Sequence, residues 1–147
     1  MSKDNMFQSA GFIARLETAM DLPAGFPVEL FTGEGEQRAL NEAGRWLVPL
    51  LKAHEAEARA ARDTELAADE LRRYQKFARP GQPSAHIVQL RQKQAAARQA
   101  AARSRQAFLK AAMEFVRAAG LTVPKGKTLD AFVQAWIGSH IPNGQSL

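Results

Sequence analysis

Cysteine is absent from the sequence of 147 residues. The protein therefore forms no disulfide, and it has neither a thiolate nucleophile nor a cysteine-ligated zinc site. Long apolar runs are also absent, so we expect no segment that spans a bilayer. The N-terminus lacks the charged-then-apolar order of a signal peptide. Together these absences predict a soluble, cytoplasmic protein without membrane contact.

Aromatic residues are few, at 7% of the chain, whereas hydrophobic residues make up 46% and charged residues 24%. This balance argues against a disordered chain. A chain of this length can bury a hydrophobic core, and we expect residues 1–147 to form a single helical domain.

Neither glycine nor proline interrupts residues 84–119, where apolar or small residues recur at intervals of three, four and seven. Residues 36–78 show the same spacing, which is that of one face of a helix. The segment Arg79-Pro80-Gly81-Gln82-Pro83 separates the two stretches. The predicted fold class is therefore all-α, a long antiparallel helical hairpin that is coiled-coil-like, with an alanine-rich seam and with arms at residues 36–78 and 84–119.

The register of the hairpin follows from folding the chain back at Gly81, which pairs residues whose numbers sum to about 162. Leu71 then faces Leu90, and the alanine-rich middles of the two arms meet. Two ion pairs are predicted at positions that flank a coiled-coil contact: Glu57 with Arg105, and Glu70 with Lys93. Exposed pairs contribute only about 0–1 kcal/mol each, so we expect them to select the register more than to stabilise it.

Two short helices are predicted to pack against the hairpin, over residues 5–20 and 128–137. Each has its apolar residues on one helical face, and Thr128 is placed to cap the second helix. The tail, residues 138–147, is predicted to be irregular.

The net formal charge of +5 conceals an uneven distribution. From Arg72 to Arg117 the chain has 11 basic residues and one acidic residue, a net charge of +10. The residues before Arg72 include 7 basic and 13 acidic side chains, a net charge of −6. This polarity favours an anionic partner for the basic arm.

The basic residues of the second arm form two stripes. Arg91, Arg98 and Arg105 recur at sevens beside the seam, where we expect the acidic arm to neutralise them in part. The other stripe points away from the seam, and Glu114 is the only acid of that arm, so we expect little compensation there. With basic residues near the turn and before the last helix, this stripe makes the candidate contact surface: Arg73, Lys76, Arg103, Lys110, Arg117, Lys125 and Lys127.

Long cationic side chains on a helix face suit a phosphate backbone, and neighbouring glutamines add hydrogen bonds. Aromatic residues are absent from that outer face. Base stacking and sequence-specific readout are therefore not predicted.

No motif in the sequence predicts catalysis, a metal site or a cofactor. Residues 126–128, Gly-Lys-Thr, resemble the end of a phosphate-binding loop, but the required glycine five residues earlier is Leu121. We interpret the segment as a helix start that holds phosphate only weakly. His54, His86 and His140 are too far apart in sequence to suggest a ligand set. We expect no enzymatic activity.

Three hypotheses of function remain, because helical hairpins serve many tasks. The first is a non-enzymatic accessory subunit of a protein–nucleic-acid assembly that contacts the DNA or RNA backbone without reading sequence. The second is a small inhibitor or adaptor, of the kind that phages or plasmids encode, which docks its basic face on an acidic protein surface. The third is a structural protein whose hairpins self-associate through the alanine-rich middle.

Overall fold

The computed structural model describes residues 11–19, 22, 26–33, 37–76, 81 and 84–141. Four helices lie in these ranges: α1 over residues 11–18, α2 over Glu42–Gln75, α3 over Ala85–Ala119 and α4 over Leu129–His140. The long helices α2 and α3 pack closely as a hairpin, and short helices flank them. The predicted fold class is therefore confirmed. Among these helices, none combines the length and the apolar sequence that a bilayer crossing requires.

The first arm of the hairpin begins later than predicted. α2 starts at Glu42, so the predicted arm is wrong over residues 37–41, and its predicted first residue, Glu36, lies outside the described residues. Ala39–Leu40 forms strand β2, which pairs antiparallel with strand β1, Phe31–Thr32. The physical reason is a cap, because the side-chain oxygen of Asn41 accepts a hydrogen bond from the Gly44 N–H at 2.9 Å. Such a residue ends the non-helical chain and begins the helix.

The two strands form a short ribbon in which Phe31 lies opposite Leu40 and Thr32 lies opposite Ala39. A 3-10 turn, Val28–Leu30, precedes the ribbon and buries its leucine. The Leu30 carbonyl also accepts a hydrogen bond from the Asn41 N–H at 2.9 Å. This bond connects the 3-10 turn directly to the start of α2.

α4 extends beyond its predicted end at residue 137. The Ile141 N–H still donates to the Ile137 carbonyl at 2.8 Å, and Ile141 packs against the hydrophobic core. The prediction of an irregular tail is therefore wrong for residues 138–140, which are helical. At the other end of α4, the Thr128 hydroxyl oxygen accepts the Ala131 N–H at 3.1 Å, which is the cap that the sequence predicts.

Several predicted features fall outside the described residues: the N-terminal helix at residues 5–10 and 20, the last arm residues 77–78, the turn residues 79, 80, 82 and 83, and the tail at residues 142–147. Within the turn, Gly81 has a φ of 82°. Glycine adopts this left-handed conformation without steric cost.

The described residues group into two compact units. The first, here called the terminal unit, lies within residues 1–55 and 107–147. All four helices contribute to its core, whose largest fully buried side chains are Leu16, Leu47, Leu50, Phe108, Phe115 and Val133. Burial of a side chain of this size contributes about 1.5–3 kcal/mol, so this core is the main source of stability in the terminal unit.

The second unit, here called the central unit, lies within residues 56–106. Three of its larger apolar residues, Leu71, Ile87 and Leu90, form one small buried cluster. Ala60 and Ala67 are also buried. Alanines allow close approach of two helices but bury little apolar area. Most of the surface of this unit is consequently left to charged and polar side chains.

Candidate functional site

The central unit is strongly basic. It contains 11 lysine and arginine residues against 5 aspartate and glutamate residues, a net formal charge of +6, whereas the rest of the chain has 9 basic and 10 acidic residues, a net of −1. The positive charge of the protein therefore resides in this unit.

Two ion pairs join α2 to α3 within the central unit. Arg105 Nη1 lies 3.7 Å from Glu57 Oε1, and Lys93 Nζ lies 3.6 Å from Glu70 Oε2. These are the two pairs proposed from the sequence, and the structure brings both together. A third acid of the unit, Asp69, pairs with Arg72 one turn along α2. Three of the five acidic residues of the central unit thus form ion pairs with basic residues of the same unit.

Six basic residues of the central unit are exposed and form no ion pair with any residue that the structure describes. We call them the central cations: Arg59, Arg73, Lys76, Arg91, Arg98 and Arg103. Because a 3.6-residue period places residues seven apart on one face, Arg91 and Arg98 share one side of α3. Their guanidinium groups are available to an external anion.

Three of the central cations belong to the contact surface predicted from the sequence, namely Arg73, Lys76 and Arg103. Arg91 and Arg98 do not, because the sequence analysis expected the acidic arm to neutralise them. Only Arg105 of that stripe is paired with an acid of α2 among the described residues. The predicted register contains part of this information, because the position opposite Arg98 is Thr64, which bears no charge.

The other residues of the predicted contact surface lie in the terminal unit. Lys110 is exposed on α3 and has no ion-pair partner among the residues described. Arg117, in contrast, pairs with Glu114 one turn earlier. The hydrogen bond to Glu114 and the negative charge of that carboxylate raise the pKa of Arg117 above its usual value. The expectation that the outer stripe is uncompensated is therefore wrong at Arg117.

Lys125 and Lys127 lie in the turn before α4, and both are exposed. Gly126 between them has a φ of 87°, and the Lys127 N–H donates to the Pro124 carbonyl at 3.2 Å. This turn leads directly into the cap of α4 at Thr128. The structure thus places the Gly-Lys-Thr segment at a helix start, as the sequence analysis interprets it.

The three histidines are each next to an aromatic ring: His54 beside Phe108, His86 beside Tyr74 and His140 beside Trp136. In the described ranges no three His, Cys, Asp or Glu residues come close enough together to hold a metal ion.

Comparisons with protein-family models, with curated proteins and with solved structures give no match to this chain.

Proposed function

We propose that the protein is a non-enzymatic accessory or interaction protein of a protein–nucleic-acid assembly, which contacts the phosphate backbone of DNA or RNA through the central cations. The observation that supports this proposal best is the pair Arg91 and Arg98. Both are exposed, they share one side of α3, and neither forms an ion pair with an acid in the described part of the chain. We place this activity in the cytoplasm, the compartment predicted from the sequence.

Physical chemistry favours a polyanion as the ligand of such a surface. Each cation that neutralises a phosphate releases condensed counterions, which makes binding favourable at low salt and weaker as salt rises. Exposed glutamines on the same helix, Gln92, Gln99 and Gln106, supply amides that hydrogen-bond to phosphate oxygens. These contacts position a backbone without identifying bases, so we expect little dependence on sequence.

The experiment is a titration of fluorescein-labelled DNA and RNA of mixed sequence, followed by fluorescence anisotropy over a series of salt concentrations. The test variant is Arg91→Glu/Arg98→Glu, which leaves the buried cluster of the central unit intact. Binding should fall steeply with salt for the unaltered protein. The variant should bind far more weakly, with a slope of log affinity against log salt that is lower by about 2 if each arginine contacts one phosphate.

The matched control is Lys125→Glu/Lys127→Glu, which changes the net charge by the same amount in the terminal unit. Retained binding in this control shows that the position of the charge matters and not only its total. It also shows that Lys125 and Lys127, predicted as contacts from the sequence, do not contribute to binding. Four residues of the predicted contact surface lie outside the central unit, and their contact with an anionic partner stays a separate prediction: Lys110, Arg117, Lys125 and Lys127. The control variant tests the last two. Nucleic-acid binding that is unchanged in Arg91→Glu/Arg98→Glu refutes the proposal. Absence of binding at low salt does the same and directs attention to an acidic protein partner.

A further inference from the structure

An exposed pair of aromatic rings lies in the central unit, between the last turn of α2 and the first turn of α3. The ring centroids of Tyr74 and His86 are 4.4 Å apart, with an interplanar angle of 84°. Tyr74 is 45% exposed, and His86 is exposed as well. An edge-to-face pair covers one face of one ring and leaves the other ring faces open.

The ring pair lies next to the hydrophobic cluster of this unit, but neither ring is part of that cluster. Leu71 is one turn before Tyr74, and Ile87 directly follows His86; both are buried together with Leu90. The aromatic rings themselves remain at the surface. Both rings therefore lie beside a packed cluster, while much of their surface is exposed to solvent.

Cationic side chains surround this pair in sequence. Arg73 directly precedes Tyr74, and Lys76 follows two residues later. Both are central cations, exposed and without an acidic partner in the part of the chain that the structure describes. The neighbouring Arg72 is paired with Asp69, so Arg73 and Lys76 supply the free charge next to the rings.

We propose that Tyr74 and His86 stack an unpaired base, and that the central unit therefore binds single-stranded nucleic acid in preference to duplex. This inference rests on the proposed function and adds the class of nucleic acid to it. Aromatic faces beside cations are the combination that single-strand binding proteins use, since every base has a face that stacks. A duplex keeps its bases stacked on each other, so it offers only its backbone to the central cations.

The absence of aromatic residues from the outer face of α3 argues against base stacking on that face. The ring pair is not on that face. It forms from two residues that are 12 positions apart, at the ends of two different helices. The hairpin brings them together, which no spacing within one helix reveals.

The experiment compares the unaltered protein with Tyr74→Leu and Tyr74→Phe. Each protein is titrated with a labelled oligothymidylate and with a labelled duplex of equal length. Leucine keeps an apolar side chain but has no aromatic face, so single-strand affinity should fall at least about fivefold, whereas duplex affinity should stay within about twofold. The salt dependence should be unchanged because no charge is removed. Phenylalanine keeps the aromatic face and should retain single-strand binding.

The matched control is Leu66→Ala, which removes another exposed apolar side chain of the central unit, one that is 61% exposed. It should leave both affinities unchanged. A second measurement needs no variant: an oligonucleotide with 5-iodouracil should photocrosslink to the unaltered protein at Tyr74 or His86, located by peptide mass. Circular dichroism confirms that the helical content of each variant is retained.

The outcomes separate this inference from the proposed function. Equal affinity for single strand and duplex overturns the stacking inference, as do crosslinks that all lie elsewhere. If binding in the same assay is still lost in Arg91→Glu/Arg98→Glu, the phosphate-contact proposal stands while the stacking inference fails. If the unaltered protein binds neither oligonucleotide, both fail.

Discussion

The side-chain oxygen of Asn41 accepts a hydrogen bond from the backbone N–H of Gly44 at 2.9 Å, and this contact marks the first turn of α2. The backbone N–H of Asn41 donates in turn to the Leu30 carbonyl, also at 2.9 Å. The Asn41 side-chain amide donates to the Glu29 carbonyl as well. One residue thus caps a long helix and attaches the preceding 3-10 turn to it.

Replacement of Asn41 by alanine should lower the free energy of unfolding by about 1–2 kcal/mol, because the Gly44 N–H loses its cap. Asn41→Ser keeps a side-chain oxygen that can accept the Gly44 N–H and loses the amide donor to the Glu29 carbonyl, so its loss should be smaller. Urea denaturation followed by circular dichroism measures both values. Equal losses in the two variants contradict a capping role for the side-chain oxygen.

Gly44 should not tolerate alanine. A Cβ atom there would lie 2.4 Å from the Leu30 carbonyl oxygen and 2.6 Å from Leu40 Cδ2. Since the first of these atoms belongs to the backbone of the 3-10 turn, that turn must shift, and Gly44→Ala should lower the free energy of unfolding by about 1–3 kcal/mol. Thermal and urea unfolding measure the loss.

Gly138 provides the matched control for Gly44. It also lies in a helix, but a Cβ atom at this position meets nothing within 4 Å. Gly138→Ala should therefore raise the free energy of unfolding by up to about 1 kcal/mol, because alanine has the higher helix propensity. Destabilisation by Gly138→Ala, or stability of Gly44→Ala, contradicts this account of the two glycines.

Phe108 is completely buried in the core of the terminal unit. Phe108→Ala should lower the free energy of unfolding by about 3–5 kcal/mol, from lost burial and from the cavity left behind. Met113, on the same helix, is 59% exposed. Met113→Ala should change stability by less than about 0.5 kcal/mol. Chemical denaturation of both variants tests whether the core extends over α3 as described.

The ion pair between Glu57 and Arg105 should contribute little to stability. Arg105 is 57% exposed and Glu57 is 23% exposed, with 3.7 Å between the charged atoms. Solvent screens such a pair, so a double-mutant cycle with Glu57→Gln and Arg105→Gln should give a coupling free energy below about 1 kcal/mol. A coupling of several kcal/mol would show that the pair is shielded from water.

Much of the hairpin is readable from the sequence. The three-four-seven spacing of small and apolar residues identifies the long helices, because side chains on one helical face must recur at that period. The pairing rule about Gly81 places Leu71 against Leu90 and joins Glu57 to Arg105, since an antiparallel hairpin with a fixed turn has only one register. Thr128 caps α4 as its residue type predicts. The Ser84 hydroxyl oxygen likewise accepts the Ile87 N–H at the start of α3.

The start of α2 is harder to predict. Asn41 is a favourable cap residue, but residues 36–41 also fit the helical spacing. The helix starts after Asn41 because the Asn41 N–H donates to the Leu30 carbonyl and because Leu40 pairs with Phe31 in the two-stranded ribbon. These partners lie about ten residues upstream, so no local pattern contains them.

The sequence by itself determined the two helical arms, their register and the concentration of positive charge in the second arm, because these properties depend on the order of side chains along a helix. Only the tertiary structure decided which cations are free of acids and that Tyr74 and His86 form an exposed ring pair. Both features depend on distances between side chains of two different helices. The packing of α2 against α3 sets those distances.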